Sequence, residues 1–247
     1  MAKLLKLTDK NYYSREADLE YFSVSQYKSF CKCEAATMAK LNGEYEPEST
    51  SALLVGSYVD AFIEGTLDAF KAENPSLFKK DGQLKADYVK AEEICQKIAS
   101  DDMFMNFMSG EKQKILTFKL FDVNWKIKLD SLVPGKCIAD LKTARNFEGL
   151  PNWRYDIQGA IYQIGVCLNN LGHLPFYLAV ATKEAITELG IFQIPQTTLD
   201  LALGEVEENM PHFIAVKKGE IEPTRCECCD YCKKTRKTVI RNYNELL

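Results

Sequence analysis

Residues 129–144 read LDSLVPGKCIADLKTA. Leu-Val, Cys-Ile-Ala and Leu are strand-forming residues, yet Asp130, Asp140 and Lys142 interrupt them at regular spacing. Charge inside an apolar strand is costly unless it is paired, exposed or bound to a metal. Asp140 and Lys142 are two apart, so on a strand they share one face while Leu141 points to the other. The Pro134-Gly135 turn folds Asp130 back toward them. A two-residue loop would set Asp130 opposite Ala139; a three-residue loop would set it opposite Asp140. Facing carboxylates repel unless a cation lies between them, and such an oxygen site suits Mg²⁺ or Mn²⁺. A neighbouring lysine can stabilise charge developing on a phosphoryl group or help orient a metal-bound water. The spacing alone also fits two solvent-facing aspartates on an edge strand.

The rest of the chain bounds what such a site can belong to. Its 247 residues, 46% hydrophobic, suffice for one large core, and the expectation is a single domain over 1–247. No apolar run is long enough to span a bilayer, and the first residues show no signal-peptide pattern, so a cytoplasmic location without membrane association is expected. Nine cysteines, an odd number and partly scattered, fit a reducing compartment better than a disulfide framework. A net charge of −4 excludes nucleic-acid binding by bulk charge alone. Any such contact needs a local basic patch or metals that neutralise the acids. The densest basic run is Lys233-Lys234-Thr235-Arg236-Lys237 with Arg241, readable as a solvated helix end or as a phosphate contact.

Patterning places the opening stretch within a larger order. Residues 1–22 read as an irregular arm. Ser23 to Ser25 cap a helix running to Leu41, and Ser51 caps a second, SALLVGSYVDAFIEG, whose Gly56 implies close packing. Residues 66–82 read as loop or short helices, and DYVKAEEICQKIASDDMFMNFM as one amphipathic helix. GEKQKILTFKLFDVNWKIKLDSLV alternates as strands with a turn near Asp122-Val123-Asn124, and KCIADLKT follows as a third strand. A helix from Trp153 to Gly172, two strands and a long helix complete the core, and RCECCDYC precedes a short basic helix. This order predicts an α/β fold with a mixed central sheet flanked by helices.

Four ordered segments resemble the PD-(D/E)xK nuclease superfamily, in the RecB-like branch that includes RecE-like phage exonucleases. They are SALLVGSYVDAFIEG, IKLDSLV, IADLKTA and YDIQGAIYQIG, over roughly residues 50–165. The N-terminal YFSVSQYKSFCKCEA and C-terminal RCECCDYC extend the likeness over nearly the whole chain. The resemblance implies a restriction-endonuclease-like core. It implies Asp130, Asp140 and Lys142 as catalytic residues, with the backbone carbonyl of Leu141 as an additional metal ligand. Where relatives carry a histidine ligand this chain has Asp60, which can also ligate Mg²⁺. Glu64, one turn later on the same face, is a supporting candidate that reads more readily as an exposed helix carboxylate. Glu111, at the start of the meander where relatives often carry an acid, is one that reads equally as an ordinary strand-start glutamate. Gln158 and Tyr162 match the family's Q-x-x-x-Y helix motif beside the lysine and the DNA; without the resemblance they read as a buried amide and a core tyrosine. His173 and His212 have no partner at ligand spacing.

Cys226, Cys229 and Cys232 have tight thiolate spacing, suited to zinc or an iron–sulfur cluster. Cys228 is too close in sequence to join them comfortably. In relatives such as AddB a distant upstream cysteine completes a [4Fe–4S] cluster; here Cys33, or alternatively Cys31, is placed to do so. Free thiols packed as small apolar groups are the third reading.

The implied function is a Mg- or Mn-dependent exodeoxyribonuclease of the phage-recombination type. It would resect linear duplex or single-stranded DNA and hand the exposed strand to an annealing protein, with a homo-oligomer as in ring-forming relatives. The competing readings are a catalytically impaired nucleic-acid-binding or assembly module of the same fold, and an unrelated metal-binding protein built around the cysteines.

Overall fold

The computed structural model describes residues 4–47 and 51–238 together with 240, 242 and 244; side chains at 51–53 lie outside the description, as does that of Arg241. The N-terminal arm is folded, not irregular. Ser14 caps α1 (Arg15–Glu20), and Tyr12, Ala17, Tyr21 and Phe22 are buried. The helix expected from Ser25 to Leu41 is two: α2 (Val24–Lys32) and α3 (Glu34–Asn42). Ser23 caps α2, its hydroxyl accepting from the Gln26 N–H at 3.2 Å. The break falls at Cys33, whose backbone is extended. A distant segment imposes it: Ala35 N donates to Thr224 O at 3.0 Å, and Glu34 accepts from Thr224 N at 2.8 Å. Tertiary docking overrides local helix propensity there.

α4 (Ser51–Glu64) follows; the Ser51 cap expected for it lies outside the described side chains. α5 (Leu67–Glu73) and a 3₁₀ turn (Pro75–Leu77) occupy the segment read as loop or short helices. The amphipathic stretch after them is also two helices, α6 (Ala86–Ala99) and α7 (Asp102–Phe107). Asp101 restarts the helix by accepting from Phe104 N at 2.8 Å, the work of an N-cap.

The meander divides between two sheets. β1 (Lys114–Leu120) and β2 (Val123–Leu129) form an antiparallel ribbon. Its turn is Phe121-Asp122, both at positive φ (50° and 61°), as a two-residue hairpin with the right twist requires. The chain then passes Asp130 and enters a separate four-stranded sheet. That sheet holds β3 (Ser131–Val133), β4 (Cys137–Ala144), β5 (Phe176–Thr182) and β6 (Leu189–Gln193), in that order. The β3–β4 and β5–β6 pairs are antiparallel and β4–β5 is parallel. IKLDSLV is therefore not one strand: Asp130 sits at the seam between ribbon and sheet.

α8 (Tyr155–Leu168) makes the crossover between parallel β4 and β5, ending short of Gly172. α9 (Gln196–Lys217) packs beside it, and α10 (Asp230–Lys234) follows the cysteines. Helices cover both faces of the mixed sheet. On the α8 and α9 side Ile138, Phe176 and Val180 pack with Ile161, Val166 and Met210. On the other, Ala139, Leu141 and Ala179 pack with Tyr58, Ile94 and Ile98 from α4 and α6. Gly165 lets α8 reach the ribbon, since a Cβ there would lie 2.4 Å from the Phe118 ring. Among the described residues no helix is long and apolar enough to cross a membrane.

Candidate active site

The period-two alternation of β4 sends Ile138, Asp140 and Lys142 toward α8 and Ala139 and Leu141 to the opposite core. The register Val133↔Cys137 leaves a three-residue loop, Pro134-Gly135-Lys136, and continuing it from Ser131↔Ala139 sets Asp130 opposite Asp140. Asp130 lies outside both strands and is tied to β4 by its Oδ2, which accepts the Leu141 N–H at 2.9 Å. Gln158, one turn into α8, donates to Asp140 Oδ1 at 2.8 Å. The other oxygen, Asp140 Oδ2, is buried without a hydrogen bond, and the Lys142 ammonium sits against it as an ion pair. Lys142 Nζ also donates to the Leu141 carbonyl at 3.1 Å.

These groups line a cleft of about 310 Å³ that also takes in Asp60, Gln113, Lys126, Lys128, Tyr162 and residues of the N-terminal segment, Tyr12, Tyr13, Ser23, Ser25 and Lys28. α4 delivers Asp60 from the sheet face opposite α8. Gly56, one turn earlier, faces β4: a Cβ there would stand 3.4 Å from the Thr143 hydroxyl, an ordinary van der Waals contact. Tyr162 is buried with its ring edge-on to Phe176.

The electrostatics are those of crowded acids in a dry cleft. Burial, reinforced by Asp130 and Asp140, pushes the Asp60 carboxyl up to about 8. Burial likewise lifts Asp140 to about 7, against the pull of Lys142. For Lys142, burial acts downward but Asp140 and Asp130 outweigh it, so the ammonium titrates above an ordinary lysine. Burial and the charge of Lys142 lower Lys28 to about 8. Three carboxylates and the Leu141 carbonyl, with the Lys142 ammonium against Asp140 Oδ2 and the carbonyl, are an oxygen donor set that fits a hard divalent cation.

Two supporting acids fall elsewhere. Glu64 lines an adjoining cleft with Asp60, Asp130 and Lys128, away from Asp140 and Lys142. Glu111 pairs through its backbone with Leu132, while its exposed carboxylate turns to Lys114, so it does not enter the site. Sequence reasoning missed Lys126 and Lys128, although their alternation with Trp125, Ile127 and Leu129 marks them as one strand face. Lys126 is buried and binds Asp18 Oδ1 at 2.7 Å and the Tyr12 carbonyl, which ties the N-terminal segment over the cleft. Lys28 carried no comparable sequence signal; it donates to the Trp153 carbonyl at 2.8 Å and shares the Tyr155 ring with Lys142.

A second cluster lies at the far end of α2. The sulfurs of Cys33, Cys226, Cys229 and Cys232 all lie within 4.8 Å of one another, with Cys33–Cys232 at 3.6 Å and Cys226–Cys232 at 4.0 Å. Among the described residues this is the group of three or more His, Cys, Asp or Glu ligands that has already converged. Cys31 and Cys228 are exposed and outside it. The N–H groups of Cys228 and Cys229 pull the Cys226 thiol down to about 6. His212 is no ligand here: its Nε2 lies 2.7 Å from Glu34 Oε1.

A family profile described as a PDDEXK-like domain of unknown function (DUF3799) matches residues 23–235. The crystal structure, at 2.19 Å, of a candidate exonuclease from Eubacterium rectale superimposes with a TM-score of 0.94, at 45% identity over 97% of each chain. The structure of SSO0001 aligns at 16% identity over 84% of this chain and 91% of that one, with a TM-score of 0.32. No curated protein sequence matches. The family match takes in every residue that lines the Asp140 cleft except Tyr12 and Tyr13, and the chain belongs to the PDDEXK-like family DUF3799.

Proposed function

We propose that the protein is a divalent-metal-dependent exodeoxyribonuclease that hydrolyses phosphodiester bonds from DNA ends. The observation that supports this most is the meeting of Asp130, Asp140 and Lys142 in one cleft, with Asp60 brought to it from a separate helix. Asp60, Asp130, Asp140 and the Leu141 carbonyl would hold Mg²⁺ or Mn²⁺. When bound, the ion supplies Lewis acidity to the phosphoryl oxygens and makes water nucleophilic at neutral pH. Lys142 stays cationic across the working range and can transfer its N–H donors from Asp140 to a non-bridging oxygen as charge builds there. Gln158 fixes the rotamer of Asp140 through one oxygen, leaving the other to the Lys142 ammonium. The Leu141 N–H likewise holds Asp130. Lys28 adds local positive charge to the cleft wall for a phosphodiester, whereas Lys126 and Lys128 line it already paired, with Asp18 at 2.7 Å and Asp9 at 3.1 Å.

A role of the RecE-like phage type, with end resection for an annealing partner and an oligomeric enzyme, extends this reading from the sequence likeness and from the name of the Eubacterium rectale relative. We also assign zinc to the four cysteines. A zinc ion with bonds of about 2.3 Å to sulfur sets tetrahedral S···S edges near 3.8 Å. The separations of 3.6 and 4.0 Å lie close to that edge and all four sulfurs fall within 4.8 Å of one another, whereas ligands at the corners of an iron–sulfur cube stand farther apart. Such an ion is structural, pinning the C-terminal cysteines to the break between α2 and α3.

The test is degradation of linear duplex DNA with Mn²⁺ or Mg²⁺ by the wild type and by Asp140→Asn. Metal-dependent loss of DNA from its ends in the wild type, abolished in the variant, supports the reading. DNA binding without degradation by either protein would make the chain a binding module instead.

A further inference from the structure

The active-site cleft does not end at Lys28. A second groove, of about 230 Å³, opens against it: Ser23 and Ser25 line both. From there it follows α2 through Ser29 and Lys32 to Cys33, and ends among Lys40, Tyr45 and Cys229. Ser25, Ser29 and Lys32 stand at i, i+4 and i+7, so they form one stripe along the helix, and all three are exposed. At about 1.5 Å per residue, the seven steps from Ser25 to Lys32 carry this stripe about 10 Å along α2 toward the cysteine cluster.

We propose that this groove is a track for one nucleic-acid strand, holding the nucleotides next to the bond being cut. The proposal rests on the nuclease reading and adds a strand-binding surface to it. Three observations support it. The groove adjoins the cleft where the scissile phosphate would lie, with Ser23 and Ser25 on the wall of both. Its charge matches a phosphate backbone: Lys32 and Lys40 line it, and its one carboxylate, Asp18, is already held by the Lys126 ammonium at 2.7 Å. Its surface also has the mixed chemistry of a strand site. The Lys32 and Lys40 ammonium groups can meet phosphates, while Ala36, Leu41, Pro47 and the ring of Tyr45 offer apolar contact to sugars and bases. Tyr45 is itself buttressed by Tyr231 at 5.3 Å, so a base could stack there without a mobile platform.

The cysteine cluster acquires a second consequence. Cys229 forms the end wall of the groove and Cys33 part of its floor, so an ion there would fix the geometry of the track as well as the fold.

The experiment measures binding of a fluorescent single strand by anisotropy over a salt series, in Ca²⁺ and with intact zinc. It uses the wild type, Lys32→Glu/Lys40→Glu and Lys32→Arg/Lys40→Arg. Hydrolysis of bis(p-nitrophenyl) phosphate in Mn²⁺ is followed in parallel, because that substrate fills only the cleft. The glutamate pair should weaken strand binding by roughly tenfold or more at low salt. It should also flatten the log Kd against log salt slope by about 1.4, two phosphates at about 0.7 each. The arginine pair should keep both. Hydrolysis of the small diester should be unchanged in all three. Unchanged affinity and slope in the glutamate pair, with a native melting curve, would assign the groove to another occupant and overturn the proposal. Failure of the wild type to cleave the small diester would count against the nuclease reading alone, since the binding measurement still decides the track.

Discussion

Asp130 Oδ2 accepts the backbone N–H of Leu141 at 2.9 Å, so a residue that belongs to no strand is clamped onto the centre of the mixed sheet. The bond gives Asp130 a structural task as well as a charge, and substitutions can separate the two. Asp130→Asn keeps an acceptor for Leu141 and removes the charge. It should retain stability within about 1 kcal/mol and lose DNA cleavage. Asp130→Ala should lose cleavage too and also about 1–3 kcal/mol of stability, because a buried N–H is left without a partner. Urea unfolding beside a cleavage assay tests this; equal stabilities for the two variants would mean that water replaces the carboxylate.

Lys142 occupies the Asp140 oxygen that a cation would also use. Lys142→Met keeps the volume and removes that competitor. Cleavage should fall by about 10²–10³, the usual effect of losing one donor to transition-state charge. Calorimetric affinity for Mn²⁺ at neutral pH should stay the same or rise. A variant that loses metal binding along with turnover would show instead that the lysine holds Asp140 in place.

The zinc assignment separates neighbouring cysteines. Cys33→Ser removes one of the four converging sulfurs, whereas Cys228→Ser removes an exposed thiol outside the set. Elemental analysis should give one zinc per chain for the wild type and Cys228→Ser, and a clear loss for Cys33→Ser. The melting temperature of Cys33→Ser should fall by several degrees, since binding energy to a structural ion is folding energy. Iron with a visible absorption band in the anaerobically purified protein would replace zinc by a cluster.

The parts of the site that follow from local periodicity were legible in the sequence. Two-residue spacing puts Asp140 and Lys142 on one face, and four-residue spacing sets Gln158 and Tyr162 on one side of α8. Whether Asp130 faces Asp140 turned on one residue of loop length, which Pro134-Gly135 leaves open; the register with three residues in the loop decides it. The break at Cys33 could not be read locally, because Thr224, nearly two hundred residues away in sequence, holds the start of α3. The split of ribbon from sheet at Asp130 was hidden for a similar reason: hydrophobic alternation runs straight through it. In the sequence Glu111 stands open between a supporting acid, as in relatives, and an ordinary strand-start glutamate; Lys114 takes its carboxylate outward, which favours the second.

Asp60 offers a test that needs no substrate. Its carboxyl is lifted to about 8 by burial and by Asp130, from an ordinary value near 4 in the unfolded chain. An acid whose folded pKa is raised binds its proton more tightly when folded. Its favourable contribution is complete below pH about 4 and is lost as the pH rises through about 8. Asp60→Asn has no proton to lose, so it should match the wild type near pH 4 and become progressively more stable up to about pH 8. Above that the gap should level off at a few kcal/mol. Divalent cations should reverse the order. Mn²⁺ binds the ionised wild-type site more tightly than the variant and stabilises it in proportion to that affinity. Chemical unfolding of both proteins across this pH range, with chelator and then with Mn²⁺, supplies the measurement. Parallel stability profiles in chelator, unmoved in their difference by Mn²⁺, would place Asp60 in solvent and leave Asp130 and Asp140 as the carboxylate ligands.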